Sequence, residues 1–169
     1  IIERIKEDDP MMRRKDRQIT DPARIREIFA ESMACRVAFC DETGPYIVPL
    51  SFGVHYNENG EADRLYFHGA AEGRKMTLLS KNPVVGFELD KALNVKQAET
   101  ACGYSMRYQS IIGTGTARLL TDFADKRAAL DCIMAQYTPG QSWTYPDAML
   151  AQTAAWCIEI QTICCKANA

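Results

Sequence analysis

Histidine is scarce in this chain: His55 and His68 are the only two among 169 residues. Two imidazoles without carboxylates at matched spacing do not build a His-ligated metal centre, and no HExxH occurs. The sequence also lacks a P-loop and a GxSxG, which sets aside phosphate-loop NTPases and nucleophile-elbow hydrolases. The seven cysteines are an odd number and include no CxxC pair, so a reduced cytoplasmic setting fits better than a disulfide framework. The adjacent Cys164 and Cys165 read either as thiols at a strand end or as a redox device. No apolar run reaches the roughly 18 residues of a membrane span. The opening IIERIKEDDPMMRRKDRQ has no apolar core of the secretory-leader type. A dominant charge is missing too: 20 Lys and Arg face 22 Asp and Glu, for a net charge of -2. Neither a membrane nor a nucleic acid is an expected partner, and the one basic cluster, MMRRKDR at residues 11–17, reads as a solvated segment.

What is present is ordinary globular composition, 47% hydrophobic and 25% charged, in a length that suits a single domain over residues 1–169. Thr20-Asp21-Pro22 starts a helix, and Ile25, Ile28, Phe29 and Met33 follow at helical spacing. Residues 35–40 and 46–56 are β-like runs joined by DETGP, a hairpin connection. An Asn59-Gly60 turn leads into a strand over 64–68. A short helix is expected over 72–80, stopped by Asn82-Pro83, and a strand over 84–89. KALNVKQAETACG reads as a loop. Residues 104–120 are extended, with Gly113 and Gly115 marking a bend or bulge. Thr121-Asp122 starts a helix whose buried stripe is Leu130, Ile133, Met134 and Tyr137, and residues 156–163 alternate as a last strand. Six strands without βαβ rhythm predict a mainly β fold, an antiparallel barrel with peripheral helices.

Period two puts Tyr46, Val48, Leu50, Phe52, Val54 and Tyr56 on one face, the core side, and Ile47, Pro49, Ser51, Gly53 and His55 on the other. That second face is small and partly polar. It reads either as a surface a flat ligand can approach or as an exposed edge strand. The stretch FHGAAEGRK, residues 67–75, is more pointed. His68 stands where a strand leaves the sheet, either as a satisfied structural residue or as a functional one. Gly69, Ala70 and Ala71 leave room beside it, and Gly73-Arg74-Lys75 opens a helix. Free first-turn amides and two cations suit a phosphate monoester, although an Arg-Lys pair can also simply face solvent. IIGTGTARLL lacks the third glycine of a dinucleotide fingerprint and continues as strand.

MRRKDRQITD, VPLSFGV, LYFHGAAEGRK, YQSIIGTGTA and WCIEIQTICCK resemble, in this order, the flavin-binding split-barrel proteins related to pyridoxamine 5'-phosphate oxidase. More narrowly they are similar to the 5-nitroimidazole-resistance branch. The resemblance covers residues 12–166 and implies a six-stranded split β-barrel that forms a homodimer, with FMN in two interfacial clefts. It implies that Val48, Pro49, Leu50 and Ser51 run along the isoalloxazine and that Arg74 and Lys75 meet the phosphate. It places His68 near the ring as the catalytic candidate. Tyr108 and Ser110 match a Y-x-S motif that lines the cleft, from either subunit. Cys164-Cys165 depart from the small-residue turn of relatives. Trp143 and Tyr145 lie in a variable segment, where they either shape substrate choice or pack the core or dimer.

The implied function is an FMN-dependent oxidoreductase acting on nitroimidazole-type or other flat aromatic small molecules, with a reduced nicotinamide nucleotide as electron donor. An unperturbed imidazole titrates near about 6.5, so a proton-donating or substrate-orienting histidine is chemically apt. A non-catalytic flavin or haem binder of the same fold is the alternative, and an interaction module with a vestigial cleft is a third reading.

Overall fold

The computed structural model describes residues 12–168; the first eleven residues, with most of the opening polar stretch and the start of the basic cluster, lie outside the described residues. Helix α1 (Pro22–Glu31) begins as its sequence predicts. The Asp21 carboxylate accepts from the Ala23 amide at 3.0 Å, and Pro22 occupies the first turn, where its missing N–H costs nothing. Ile25, Ile28 and Phe29 are buried. Met33 is not part of that stripe: the helix ends at Glu31, and Met33 is 74% exposed.

Strands β1 (Cys35–Asp41) and β2 (Gly44–Leu50) form the expected hairpin. Next come β3 (Gly53–Tyr56), β4 (Ala62–Gly69), helix α2 (Arg74–Lys81), β5 (Val84–Lys96), β6 (Ser105–Leu120), helices α3 (Phe123–Tyr137) and α4 (Asp147–Gln152), and β7 (Ala154–Asn168). All pairings are antiparallel, in the order β2-β1-β5-β6-β7-β4-β3. Because β2 and β3 are two parts of one run, the order closes on itself. The chain leaves β1 at Ser51-Phe52 and joins β4, so six runs make a barrel with one split corner. Tyr137 of α3 fastens that corner: its hydroxyl accepts from the Phe52 amide at 3.0 Å and donates to the Met33 carbonyl at 3.1 Å.

Phe39, Phe67 and Trp156 meet at the barrel's centre, with Phe67 and Trp156 stacked at 4.3 Å. A second cluster of Tyr66, Leu120, Ala129, Ile133, Ala155 and Cys157 lies under α3. This explains why β7 does not show the expected alternation: Trp156, Cys157 and Ile158 are all buried, because the barrel covers one face and α3 the other. The α3 stripe holds at Leu130, Ile133 and Tyr137 but not at Met134, which belongs to neither cluster. The buried residues of α3 are Lys126, Ala129 and Ile133, and Leu130 and Tyr137 pack partly against them.

KALNVKQAETACG is not a loop throughout: β5 continues to Lys96, paired with the start of β6 as a two-stranded arm. Every residue from Asp90 to Lys96 is exposed, so neither face of the arm carries a burial signal. The predicted bend in β6 is a register shift against β7 between Thr114 and Gly115. A Cβ on Gly115 would stand 2.4 Å from the Glu159 carbonyl oxygen, which is why only glycine fits there.

Candidate functional site

At the end of β4 the chain passes His68 and Gly69, turns through residues 70–72 and enters α2. Gly73 caps the helix with φ 113, a conformation that L side chains rarely adopt, and it supplies no side-chain cap. The Met76 and Thr77 amides both donate to the Gly73 carbonyl, at 3.0 and 3.1 Å. The amides of Arg74 and Lys75 have no backbone acceptor among the described residues. Bare amides at the positive end of a helix are a docking point for an anion.

The two cations lie to either side of this tip. The Arg74 guanidinium rests 4.5 Å from the Tyr46 ring centroid and reaches the Thr43 hydroxyl at 3.5 Å. Lys75 leans the other way, so that a Cβ on Gly69 would stand 3.1 Å from its Nζ. Asp41 reports the local field. Hydrogen bonds from the Thr43 hydroxyl and amide hold its carboxyl below the ordinary range, and Arg74 and Lys81 add to the effect.

His68 is exposed, and its ring has no hydrogen bond or ion pair among the described residues. His55 is different: Nδ1 bonds the Asp63 carboxylate and the ring meets Tyr66 edge-on, which makes it structural. Val48 and Leu50 are half-buried toward the core while Pro49 and Ser51 face out, as period two requires. Among the described residues β2 pairs with β1 alone and ends at the split corner, so the outer face is that of an edge strand. The β3–β4 register sets Gly53 across from Tyr66; continued by two residues, it brings Ser51 level with His68. Beside Pro49 on β1, Arg36 binds Glu88 at 3.0 Å and Asp90 at 2.5 Å. Burial raises the Glu88 carboxyl, and Arg36 opposes that shift.

Tyr108 and Ser110 lie far along β6 from the level of His68, but round the other side of the barrel Pro49 pairs with Arg36, Arg36 with Glu88 and Glu88 with Ile112, which sets Ser110 near the level of Ser51 three strands away. Ser110 sits between Asp90 and Lys166, and Tyr108 between Ala92 and Asn168. The level of His68 crosses β7 at Ala155 and β6 at Leu120. Ser110 and Leu120 are thus separated by roughly 30 Å of strand. Trp143 and Tyr145 do not belong to either core cluster. Trp143 Nε1 donates to the hydroxyl of Thr138, the residue that follows α3, at 3.0 Å, and the Tyr145 hydroxyl donates to Asp131 of α3 at 3.0 Å. Cys164 and Cys165 point to opposite faces of β7. Cys165 is buried, which pushes its thiol up to about 12, and Cys164 is half-exposed.

Sequence reasoning did not find Thr43 and Tyr46, the platform for Arg74. Its only available signal was Tyr46 beginning the strand that faces the candidate cleft. It also did not mark Lys126, which lies at i, i+4, i+7 and i+11 spacing with Leu130, Ile133 and Tyr137, a cation on an apolar stripe.

A closed antiparallel sheet with one split corner and flanking helices defines the class, a split β-barrel, an architecture shared by flavin-binding proteins. The chain belongs to the pyridoxamine 5'-phosphate oxidase family, whose sequence model matches residues 21–167. It is 33% identical to a protein of Bacteroides thetaiotaomicron provisionally assigned to 5-nitroimidazole antibiotic resistance. That likeness covers 88% of this chain and 85% of the other, with a TM-score of 0.73. An FAD and haem binding protein from Mycobacterium smegmatis is 22% identical, with 90% and 73% coverage and a TM-score of 0.78. A flavocytochrome from Azotobacter vinelandii is 20% identical, with 96% and 75% coverage and a TM-score of 0.77. At those identities the likeness is one of fold. No curated protein matches the chain.

Proposed function

We propose that the protein is an FMN-dependent oxidoreductase that works as a homodimer and reduces nitroimidazoles or related flat aromatic molecules, with a reduced nicotinamide nucleotide as donor. The observation that carries this reading is the bare tip of α2, flanked by Arg74 and Lys75 and set one short turn from His68. The site suits a flavin with one terminal phosphate. The amides of residues 74 and 75 and their two cations would hold the ester, and the outward side of Val48, Pro49, Leu50 and Ser51 would carry the ring plane. Bound FMN supplies the electrons that a nitro group accepts. His68, whose ring is otherwise unengaged, stands at the corner to give a proton to the substrate or to orient it.

Tyr108 and Ser110 would line such a cleft from this chain or from a second copy: the ladders run from Pro49 through Arg36 and Glu88 to Ile112, which sets Ser110 near the level of Ser51 and three strands, roughly 15 Å, away. An outward patch supports a dimer. Ile47 on β2 is 59% exposed, Val84 on β5 55% and Ile112 on β6 52%, on one side of the β2-β1-β5-β6 part of the sheet.

The test is direct. Protein incubated with FMN should remain yellow through gel filtration, and under anaerobic conditions with reduced nicotinamide it should consume a nitroimidazole. A colourless protein after FMN addition removes this reading. Cofactor binding without turnover is the second reading, favoured by the same unengaged His68 as a ligand for haem iron. A Soret band in place of flavin bands decides for it.

A further inference from the structure

A second hollow borders the end of β4. It is a groove of about 270 Å³ between α2, the ends of β6 and β7, and the start of α3, and Ala71, Met76, Leu119, Ala154 and Ala155 line it. Ala155 lies directly across the ladder from His68, and Ala154 across from Gly69, beneath Lys75. The groove and the candidate cofactor cleft therefore share a wall. Its lining is mostly apolar, with Thr121 and Thr153 as neutral polar side chains and Lys126 as the one charged group.

Lys126 is a buried cation, only 9% exposed. Its Nζ donates to the carbonyls of Leu150 and Thr153, at 2.8 and 2.9 Å. An ammonium has three N–H donors, so one remains. Both acceptors are neutral carbonyls at the end of α4, whose dipole offsets part of the charge. No carboxylate among the described residues forms an ion pair with it. Burying a cation without a counter-ion is costly, and a groove that opens onto that cation offers an anion an apolar site with one strong contact.

We propose that this groove binds a small planar monocarboxylate, with its carboxylate on Lys126 Nζ and its apolar body along Ala71, Met76 and Leu119. Lys126 is then a specificity-determining residue. The inference rests on the proposed oxidoreductase reading only for the ligand's role, which is to present the ring of a carboxylate-bearing substrate toward His68; binding itself does not depend on it.

Calorimetric titration of the flavin-free protein with benzoate, and with benzyl alcohol as its uncharged counterpart, tests the site. Benzoate should saturate one site per chain and bind at least tenfold tighter than benzyl alcohol. Lys126→Met should lose at least tenfold in benzoate affinity and leave benzyl alcohol unchanged. Ala71→Phe, at the exposed mouth, should weaken both ligands. Absent benzoate binding, or unchanged benzoate affinity in Lys126→Met, overturns the proposal. If Lys126→Met does not fold because two tethers to α4 are gone, Ala71→Phe decides: wild-type benzoate affinity there overturns the proposal as well. FMN binding, followed separately by flavin fluorescence, should stay within twofold in Lys126→Met. Its absence from all three proteins would defeat the cofactor reading and leave the groove standing.

Discussion

Arg74 and Lys75 are neighbours in sequence but not equivalent in space. Arg74 is anchored on Tyr46 and Thr43, and Lys75 folds back over Gly69, so an anion at the tip of α2 would be gripped from two sides. A charge-assisted hydrogen bond contributes about 1.5–3 kcal/mol. Each of Arg74→Ala and Lys75→Ala should therefore raise the Kd for FMN by about ten- to hundredfold. Riboflavin, which lacks the ester, should bind the variants and the wild type alike in the same fluorescence titration. Equal losses for both ligands would move the phosphate elsewhere. Gly73 offers a second test at this scale. A Cβ there would meet nothing within 4 Å, so the cost of Gly73→Ala is purely conformational. At φ 113 and ψ 172 the backbone sits in a region nearly reserved for glycine, and forcing alanine into it costs about 1–3 kcal/mol. Urea unfolding should show a loss of that size, or the tip should rearrange and FMN affinity fall.

Side chains tie the segment between α3 and β7 to α3 at three points, and a fourth bond braces the segment just past the helix end. Trp143 bonds Thr138, Tyr145 bonds Asp131, Arg127 bonds Asp147, and Lys126 holds the end of α4. Burial, and secondarily the bond to Asp131, raises the Tyr145 phenol to about 12. The neutral form is favoured in the fold, so its contribution is complete below an unfolded value of about 10 and is lost as pH rises from there to about 12. In a tyrosinate absorbance titration, Tyr145→Phe should remove a step near that upper value, and Asp131→Asn should move the step to lower pH. This segment also shows where elements were legible and where they were not. α1 and α3 could be read because Asp21 and Asp122 cap their amides and apolar residues follow at helical spacing. α4 has six residues and no side-chain cap, too little pattern to distinguish it from loop. The β5 arm was missed for the opposite reason, since pairing with β6 makes it a strand although both of its faces are wet. His68, Arg74 and Lys75 could be read as one site because they lie within eight consecutive residues. Lys126 meets its groove through elements distant in sequence.

On the scale of the whole molecule, His68 stands at the level of Leu120 near one end of β6, whereas Pro49 stands at the level of Ile112, three strands from the end that carries Tyr108 and Ser110. His68, Arg74 and Lys75 belong to the split corner, and Tyr108 and Ser110 to the region where β5, β6 and the end of β7 meet. Only the resemblance joined these groups in the sequence, because strand periodicity fixes a residue's face but says nothing about which chain stands opposite. A symmetric dimer that brings one end of each barrel to the other end of its mate would create two equivalent clefts. That geometry makes a quantitative demand. A double variant Arg74→Ala/Lys75→Ala and a double variant Tyr108→Ala/Ser110→Ala should each bind FMN weakly alone. After both are unfolded together and refolded as an equal mixture, about half of the dimers are mixed, and each mixed dimer carries one cleft with every residue intact and one with none. About a quarter of all clefts should then recover wild-type FMN affinity, read as a distinct high-affinity phase in fluorescence titration. If each cleft drew all its residues from one chain, no mixing ratio would restore that phase. Gel filtration of the wild type supplies the companion measurement, because a monomer at working concentration would leave no cleft shared between chains.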